Sequence, residues 1–162
     1  MPPRFDVRPV ERLRSHEEVD PVTVRRIARS IERSGEVVDP IWVAAGSDVI
    51  LNGHHRFEAL KSLGARWVPV WVLDYGSDEV ALGRWRAGPP ISKEEVLERG
   101  RTGELFPRKT TRHRIQKELP HRPTPLSVLR SPTRPSLDRT PATDHPVGRR
   151  SSRDRGPSSD EE

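Results

Sequence analysis

The chain has 162 residues, a net charge of +5 and a hydrophobic content of only 31%, which is too low for the whole length to form one compact globule. It contains no cysteine, and this excludes disulfide frameworks, thiolate catalysis and cysteine-rich zinc sites. No stretch approaches the roughly 18 apolar residues that a membrane span requires, and the charged N-terminus has no apolar signal-peptide region. We therefore expect a soluble cytoplasmic protein without a membrane partner.

The composition changes sharply along the chain. Every aromatic residue lies before residue 107, and the sequence from Pro120 onward is rich in proline, arginine, serine and threonine. Such a stretch cannot bury enough apolar surface to offset its ordering entropy. We predict a folded domain over residues 1–129 and a disordered tail over residues 130–162. For this mildly basic tail we favour a solvated segment over a nucleic-acid-binding arm, and the second interpretation stays open.

The first predicted elements are a weak strand and a strong helix. Residues 8–13 alternate weakly between apolar and polar side chains, which is typical of a strand or an extended entry. Asp20-Pro21 is typical of an N-cap followed by proline at the first helical position. Apolar residues then follow helical spacing as far as Gly35, namely Val24, Ile27, Ala28 and Ile31. The pattern predicts an amphipathic helix that ends at Gly35.

A hairpin and a second helix come next. Residues 40–45 and 48–51 flank a Gly-Ser pair, which predicts two short strands joined by a tight turn. Apolar residues at helical spacing follow over residues 54–63, and Gly64 is typical of a helix stop. The second strand of the hairpin therefore gives way directly to a helix.

The last elements are a strand and a capped helix. Residues 67–73 are almost entirely apolar and predict a strand, in which Pro69 indicates an edge position. Ser92 with Glu95 forms a capping box, and we expect the helix it begins to end at Gly100. Loop sequence then leads to Lys109. Because strands and helices alternate, the sequence predicts a small α/β domain.

The most informative segment is Asn52-Gly53-His54-His55-Arg56, at the predicted change from strand to helix. A helix start attracts anions through its N–H groups and dipole, and Gly53 permits a close approach to the backbone. Two imidazoles and a guanidinium there favour a phosphate site, while a plain turn with solvated side chains is an equally open interpretation. A metal site is disfavoured, because adjacent helical residues point about 100° apart.

Two further polar segments are candidates for chemistry. In His16-Glu17-Glu18, one carboxylate has the chemistry of a general base, although a solvated acidic pair beside the next helix fits the sequence better. The segment Lys109-Thr110-Thr111-Arg112-His113 combines cations and hydroxyls that can hold a phosphate or a carboxylate, and a solvent-facing basic stretch fits it equally well. Trp85 fits either the core or the wall of a small-molecule pocket.

Together these segments resemble a known superfamily. The sequence N-G-H-H-R-F-E-A-L-K-S-L-G, preceded by S-G-E-V-V-D-P-I-W-V, is similar to the ParB/sulfiredoxin-like domain. Within that superfamily, the His-His version with I-S-K-E-E-V-L-E-R-G-R-T-G-E-L-F-P-R-K-T-T-R-H resembles the free L-serine kinases of the archaeal type. The resemblance covers roughly residues 8–129 and implies a mixed sheet with flanking helices. Sulfiredoxin is excluded because position 54 is histidine rather than cysteine, and a partitioning ParB is disfavoured because no helix-turn-helix sequence follows.

The resemblance implies a role for each segment. It implies transfer of a phosphoryl group from ADP or ATP, with Mg²⁺ bridging the phosphates, to the hydroxyl of free L-serine. The phosphates would lie at Gly53, His54, His55 and Arg56, and the Pro40-Ile41 edge would pack against the nucleotide base. Glu17 would be the base, with Glu18 as the fallback. The segment 109–113, with Trp85 as a wall, would hold serine or phosphoserine, Arg112 pairing with a carboxylate or the new phosphate.

Two alternatives stay open at this stage. Asn52 stands where the related kinases usually carry aspartate, and an amide is a poorer magnesium ligand, so the chain would bind nucleotide without turnover if that ligand is essential. The other alternative is a nucleotide-binding regulatory module whose basic tail touches DNA, which the sequence pI of about 10.3 favours. The sequence predicts neither the choice between ADP and ATP nor an oligomeric state.

Overall fold

The computed structural model describes residues 2–136. Most of the predicted tail, residues 137–162, lies outside the described residues. The elements in chain order are β1 (Arg4–Pro9), a 3-10 helix (Val10–Arg12), α1 (Pro21–Ser34), β2 (Glu36–Val37), β3 (Ile41–Ala44), β4 (Ile50–Asn52), α2 (His54–Ser62), β5 (Trp67–Leu73), β6 (Val80–Arg84), α3 (Lys93–Thr102), β7 (Thr111–Ile115), β8 (Thr124–Pro125) and α4 (Leu126–Leu129). No helix in this part of the chain is long and apolar enough to cross a membrane.

The main sheet has four strands in the order β1-β5-β3-β4. The pair β3–β5 is parallel, whereas β1–β5 and β3–β4 are antiparallel. The predicted α/β class with a mixed sheet and flanking helices is therefore confirmed. Two further antiparallel pairs, β2–β8 and β6–β7, stand apart from the main sheet.

Alternate residues of the sheet feed two hydrophobic clusters. Val70 and Val72 of β5 pack into a cluster with buried residues of α1 and α2. Trp71 and Leu73 point the other way, into a cluster that includes Val96 of α3. A strand that is buried on both faces has a continuous run of apolar residues. This run is why β5 could be predicted from the sequence.

The capping residues in the sequence correctly predicted where α1 and α3 begin. The Asp20 side chain accepts the N–H of Val22, and Gly35 ends α1 in the left-handed conformation. Ser92 and Glu95 form the expected capping box at α3. The predicted end of α3 at Gly100 is wrong, because the helix continues to Thr102 and Gly103 is its C-cap. Gly100 instead permits close packing, since a Cβ there would lie 2.6 Å from a Val49 methyl group.

The strand predictions need three corrections. The first strand is Arg4–Pro9 rather than residues 8–13, and it pairs along its whole length with β5. Pro69 does not mark an edge, because β5 lies between β1 and β3. Proline is tolerated there since the pairing with β3 begins only at Val70. Finally, β6 and β7 were not predicted, and the supposed loop sequence at Thr111 begins a strand.

Residues 130–136, which the sequence analysis assigned to the tail, contact the domain. The Arg130 side chain donates to the carbonyl of Leu63, and the Trp67 indole donates to the carbonyl of Ser131 at 2.9 Å. The α4 helix just before them is anchored by Leu126 and Leu129, both buried. Contacts with the domain thus continue past residue 129.

Candidate active site

The site is built around the segment between the 3-10 helix and α1, which we call the Glu17 loop (residues 14–20). Its backbone is fixed to the segment after α3 by two hydrogen bonds of 2.8 Å, from Glu18 N–H to the Phe106 carbonyl and from Phe106 N–H to the His16 carbonyl. At its end, Asp20 caps α1. The loop is therefore held at several points, although it belongs to neither helix nor sheet.

The carboxylate of Glu17 is almost completely buried, with 3% of the residue exposed. Its Oε1 accepts hydrogen bonds from the Thr111 N–H at 3.0 Å and the Thr111 hydroxyl at 2.7 Å. Its Oε2 accepts the Lys109 N–H at 2.8 Å. Burial raises the pKa of this carboxyl, and the hydrogen bonds from Thr111 oppose that rise. A carboxylate with a raised pKa is a stronger proton acceptor.

Glu18 differs from its neighbour. Its side chain is exposed, while its backbone N–H is the group that joins Phe106. Of the two candidate bases, the geometry therefore favours Glu17.

The start of α2 is shaped by Gly53 and Arg56. Gly53 is the N-cap residue, with a left-handed φ of 99°. A Cβ on Gly53 would lie 2.9 Å from the Arg56 guanidinium and 3.1 Å from Ile41, so only glycine fits this turn without displacing a neighbour. The Arg56 guanidinium also donates to the Pro40 carbonyl at 3.2 Å. Arg56 thus links the turn to the chain just before β3.

The predicted contact between the Pro40-Ile41 edge and a nucleotide base stays a prediction. The Ile41 side chain is fully buried, at 0% exposure, in the cluster with α1 and α2. Pro40, also buried, contributes its carbonyl to Arg56.

The two histidines of α2 are buried and point toward the Glu17 loop. His54 Nε2 accepts the His16 N–H at 3.2 Å, and His55 Nε2 accepts the Asp20 N–H at 2.8 Å. Burial, followed by the nearby His16, lowers the pKa of His54 well below 6.5. Both rings accept a backbone N–H group through Nε2, so they hold the Glu17 loop at His16 and at Asp20. The predicted contact of these imidazoles with phosphates stays a prediction.

The predicted 109–113 segment divides between two faces of β7. Thr111 and His113 are buried, while Arg112 lies on the other face, as strand alternation requires. The Arg112 guanidinium stacks on Trp85, 4.3 Å from the ring centroid, and the Lys109 ammonium lies 5.8 Å from the same ring. Thr110 is buried and donates its hydroxyl hydrogen bond to Pro107. Trp85 is half-buried, so it forms a partly open wall.

Sequence reasoning missed His16 and Tyr75. His16 is fully buried; its Nδ1 lies 2.7 Å from the Ile50 carbonyl and its Nε2 lies 2.8 Å from the Thr111 hydroxyl. Burial lowers the pKa of His16 to about 4. The Tyr75 hydroxyl lies 2.8 Å from His113 Nε2. The position of His16 before Glu17 was a usable signal, whereas nothing near Tyr75 in the sequence indicated this contact.

The three polar segments lie together. His16 contacts His54, with ring centroids 4.6 Å apart, and Glu17 is bonded to Thr111. The Glu17 loop therefore contacts the start of α2 through His16 and the start of β7 through Glu17. Within residues 2–136 there is no group of three or more histidine, cysteine, aspartate or glutamate side chains that could hold a metal ion.

The sequence is similar to curated kinases over part of its length. It is 37% identical over 93 residues to the ATP-dependent L-serine kinase of Desulfurococcus mucosus, covering 55% of this chain and 36% of that protein. It is 32% identical over 94 residues to the ADP-dependent L-serine kinase of Thermococcus kodakarensis, covering 56% of this chain and 39% of that protein. The chain thus matches well under half the length of these relatives. No protein-family model matches it.

Solved structures show the same fold. A free serine kinase in complex with AMP superposes with a TM-score of 0.70 at 18% identity, covering 77% of this chain and 93% of that chain. A glutamate-to-alanine variant of a free serine kinase in complex with ADP gives the same TM-score, identity and coverage. A hypothetical protein from Pyrococcus furiosus gives a TM-score of 0.71 at 18% identity, covering 78% of this chain and 97% of that chain.

Proposed function

We propose that this chain is a small-molecule kinase that transfers a phosphoryl group from ADP or ATP to the hydroxyl of free L-serine, giving O-phospho-L-serine. The observation that carries the proposal is the buried Glu17 carboxylate, which is hydrogen-bonded to the 109–113 segment while the adjacent His16 contacts the start of α2. The sequence similarity to ATP- and ADP-dependent L-serine kinases supports it.

We place the nucleotide phosphates at the first turn of α2. A helix start carries partial positive charge on its N–H groups. Because Gly53 has no Cβ, the Arg56 guanidinium lies directly against this turn and adds a full positive charge. The rings of His54 and His55 support the Glu17 loop beside it.

Glu17 is the proposed general base. In the transfer step, the serine O–H bond breaks, a new bond forms between the serine oxygen and the terminal phosphorus, and the bond to the leaving AMP or ADP breaks. The serine proton goes to the Glu17 carboxylate. Phosphoryl transfer needs little more from a protein than placement and charge stabilisation, so one positioned base beside a phosphate turn is sufficient.

The exposed side of β7 is the proposed holder of serine and phosphoserine. Arg112 offers two parallel N–H donors to a carboxylate or phosphate, and its stacking on Trp85 fixes the plane of the guanidinium. Lys109 adds a second cation over the same ring. The Lys109 and Thr111 backbone N–H groups hold Glu17, so the proposed base and the proposed holder depend on the same segment of the chain.

Magnesium fits this site as an ion that arrives with the nucleotide. The described residues provide no cluster of carboxylates for it, and Mg²⁺ commonly binds through substrate phosphates and water. Asn52, directly before Gly53, is the side chain that we expect to face the ion. When bound, Mg²⁺ would neutralise phosphate charge.

The test is product formation by the full chain. We expect O-phospho-L-serine, identified by mass spectrometry, when the protein is mixed with L-serine, Mg²⁺ and either ADP or ATP, and none when serine is omitted. Absence of product with both donors would contradict the proposal. Thermal stabilisation by CTP without stabilisation by ADP or ATP would favour the regulatory-module alternative, because a ligand that binds the native state raises its apparent stability.

A further inference from the structure

Glu17, Thr111 and His16 form a buried hydrogen-bond network that has fewer polar hydrogens than it has hydrogen-bond contacts. The Thr111 hydroxyl lies 2.7 Å from Glu17 Oε1 and 2.8 Å from His16 Nε2. The Ile50 carbonyl can only accept, so His16 Nδ1 carries the hydrogen that bonds it. With Glu17 ionised and His16 neutral, one hydroxyl hydrogen therefore serves two contacts.

Adding one proton fills both contacts. If Glu17 Oε1 is protonated, it donates to the Thr111 oxygen, and the Thr111 hydrogen turns to His16 Nε2. In the ionised state, by contrast, either Glu17 Oε1 or His16 Nε2 lacks that hydrogen, and His16 is fully buried away from water. A buried acceptor without a donor costs free energy. The hydrogen-bond network therefore favours the state in which Glu17 has gained a proton.

We propose that Thr111 and His16 are positioning residues that make Glu17 a better base: when Glu17 takes the proton of the substrate hydroxyl, the Thr111 hydroxyl turns from Glu17 to His16. This inference rests on the proposed function for the source of the proton. His16 stays neutral throughout. Proton transfer breaks the substrate O–H bond and forms a Glu17 O–H bond, and inside the network only hydrogen bonds are exchanged. The proton leaves Glu17 for solvent when the product departs.

The surroundings of His16 are compatible with a neutral acceptor. The titratable groups that face it are Glu17, with Oε1 3.9 Å from Nε2, and the rings of His54 and His113. His54 accepts the His16 backbone N–H, and His113 lies against Tyr75. Burial keeps the pKa of His16 and His113 low, at about 4 and about 3. The Nε2 lone pair is thus available at neutral pH.

The kinetic test uses two replacements of His16 that differ in one contact. The side-chain amide of His16→Asn can replace the Nδ1 hydrogen bond to Ile50 but reaches no further, whereas His16→Gln can place an amide oxygen near the Nε2 position. We expect His16→Asn to lower kcat about tenfold or more, with little change in KM for the nucleotide, and to move the acid limb of the rate profile to lower pH. His16→Gln should recover most of the loss.

A second measurement separates this inference from the kinase proposal. In ¹⁵N NMR of the full chain without substrates, the His16 Nε2 signal should shift as Glu17 titrates, without becoming an imidazolium signal, and Thr111→Val should abolish the shift while Thr111→Ser keeps it. Wild-type kcat and pH profile in a folded His16→Asn variant, or an Nε2 signal that ignores the titration of Glu17, would overturn the inference. A missing product with an intact NMR response would overturn the kinase proposal alone.

Discussion

The Nε2 atom of His55 accepts the backbone N–H of Asp20 at 2.8 Å, so one imidazole joins the first turn of α2 to the residue that caps α1. His54 makes the matching contact with the His16 N–H. The proposed phosphate turn and the loop that carries the proposed base are therefore joined by two hydrogen bonds. A change at either end is expected to move the other.

Removing the His55 contact tests this link. We expect His55→Ala to lower stability by about 1 kcal/mol, because the partly buried Asp20 N–H loses its acceptor, and to lower kcat more than nucleotide affinity. Urea unfolding and steady-state kinetics measure the two effects. His55→Gln is the matched control, since its amide oxygen can accept the same N–H. Equal kinetics for His55→Ala and the wild type would show that the loop holds its geometry without the ring.

Glu17 is predicted to be essential for turnover but not for nucleotide binding. Because Glu17→Gln removes the proton acceptor and keeps the size of the side chain, we expect a loss of about 100- to 10,000-fold in kcat. Thermal stabilisation by ADP should persist. The exposed neighbour provides the control: Glu18→Gln should keep near wild-type kcat. Full activity in Glu17→Gln would remove Glu17 from the mechanism.

Gly53 is predicted to matter for ligand binding as well as for stability. Gly53→Ala adds a Cβ at a φ of 99° and 2.9 Å from the Arg56 guanidinium, so we expect it to cost about 1–2 kcal/mol from the backbone alone and to weaken ADP binding by displacing Arg56. Gly64→Ala is the control, because its φ is 79° with nothing within 4 Å. It should share the loss of stability and keep ADP affinity, as measured by calorimetry.

Arg112 is predicted to act on serine rather than on the nucleotide. Arg112→Gln should raise KM for L-serine about tenfold or more, since a charge-assisted hydrogen bond is lost, while KM for the nucleotide stays near its wild-type value. Arg114 is exposed two residues along β7, which puts it on the same face, so Arg114→Gln is the control. An equal rise in both KM values would indicate that Arg112 serves the nucleotide instead.

Stability is predicted to fall in mild acid because buried histidines must take up protons on unfolding. The pKa is lowered by burial to about 4 for His16 and about 3 for His113, from 6.5. The unfolded chain therefore binds more protons below pH 6.5, and the stability contributed by the neutral rings is lost as pH falls from about 6.5 toward 4. Glu17 acts oppositely: because its pKa is raised above 4.5, its protonated form favours folding at low pH.

Urea midpoints at pH 7.5 and pH 5 measure this dependence. We expect a lower midpoint at pH 5 for the wild type and a smaller pH difference for His113→Asn, which lacks one buried imidazole. An equal pH difference in the wild type and in His113→Asn would contradict the burial of the His113 ring.

Local signals explain which elements could be predicted from the sequence. Asp20 and Gly35 define α1 through contacts within a few residues, so the sequence alone was sufficient. The β6–β7 pair joins Val80 to Ile115 and Arg84 to Thr111, and a pairing between such distant positions leaves no local pattern. The packing role of Gly100 could not be predicted for the same reason, because it depends on contact with the distant Val49.

The same distinction applies to the site. Spacing and composition placed Glu17, Gly53 and the 109–113 segment among the candidates, and the structure brings them together. The sequence did not predict the direction in which each side chain points. His54 and His55 stand at a helix start, as predicted, but their rings bind backbone N–H groups of a loop more than thirty residues away. The hydrogen count that gives His16 its proposed role requires three-dimensional distances.

The most direct test of the central claim is a ³¹P NMR time course with the protein in excess over ADP or ATP and Mg²⁺, recorded before and after L-serine is added. The account predicts that the terminal phosphate signal of the donor falls only after L-serine is present, while a phosphomonoester signal of O-phospho-L-serine rises by the same amount. A donor signal that stays constant, or that converts to inorganic phosphate alone, would contradict it.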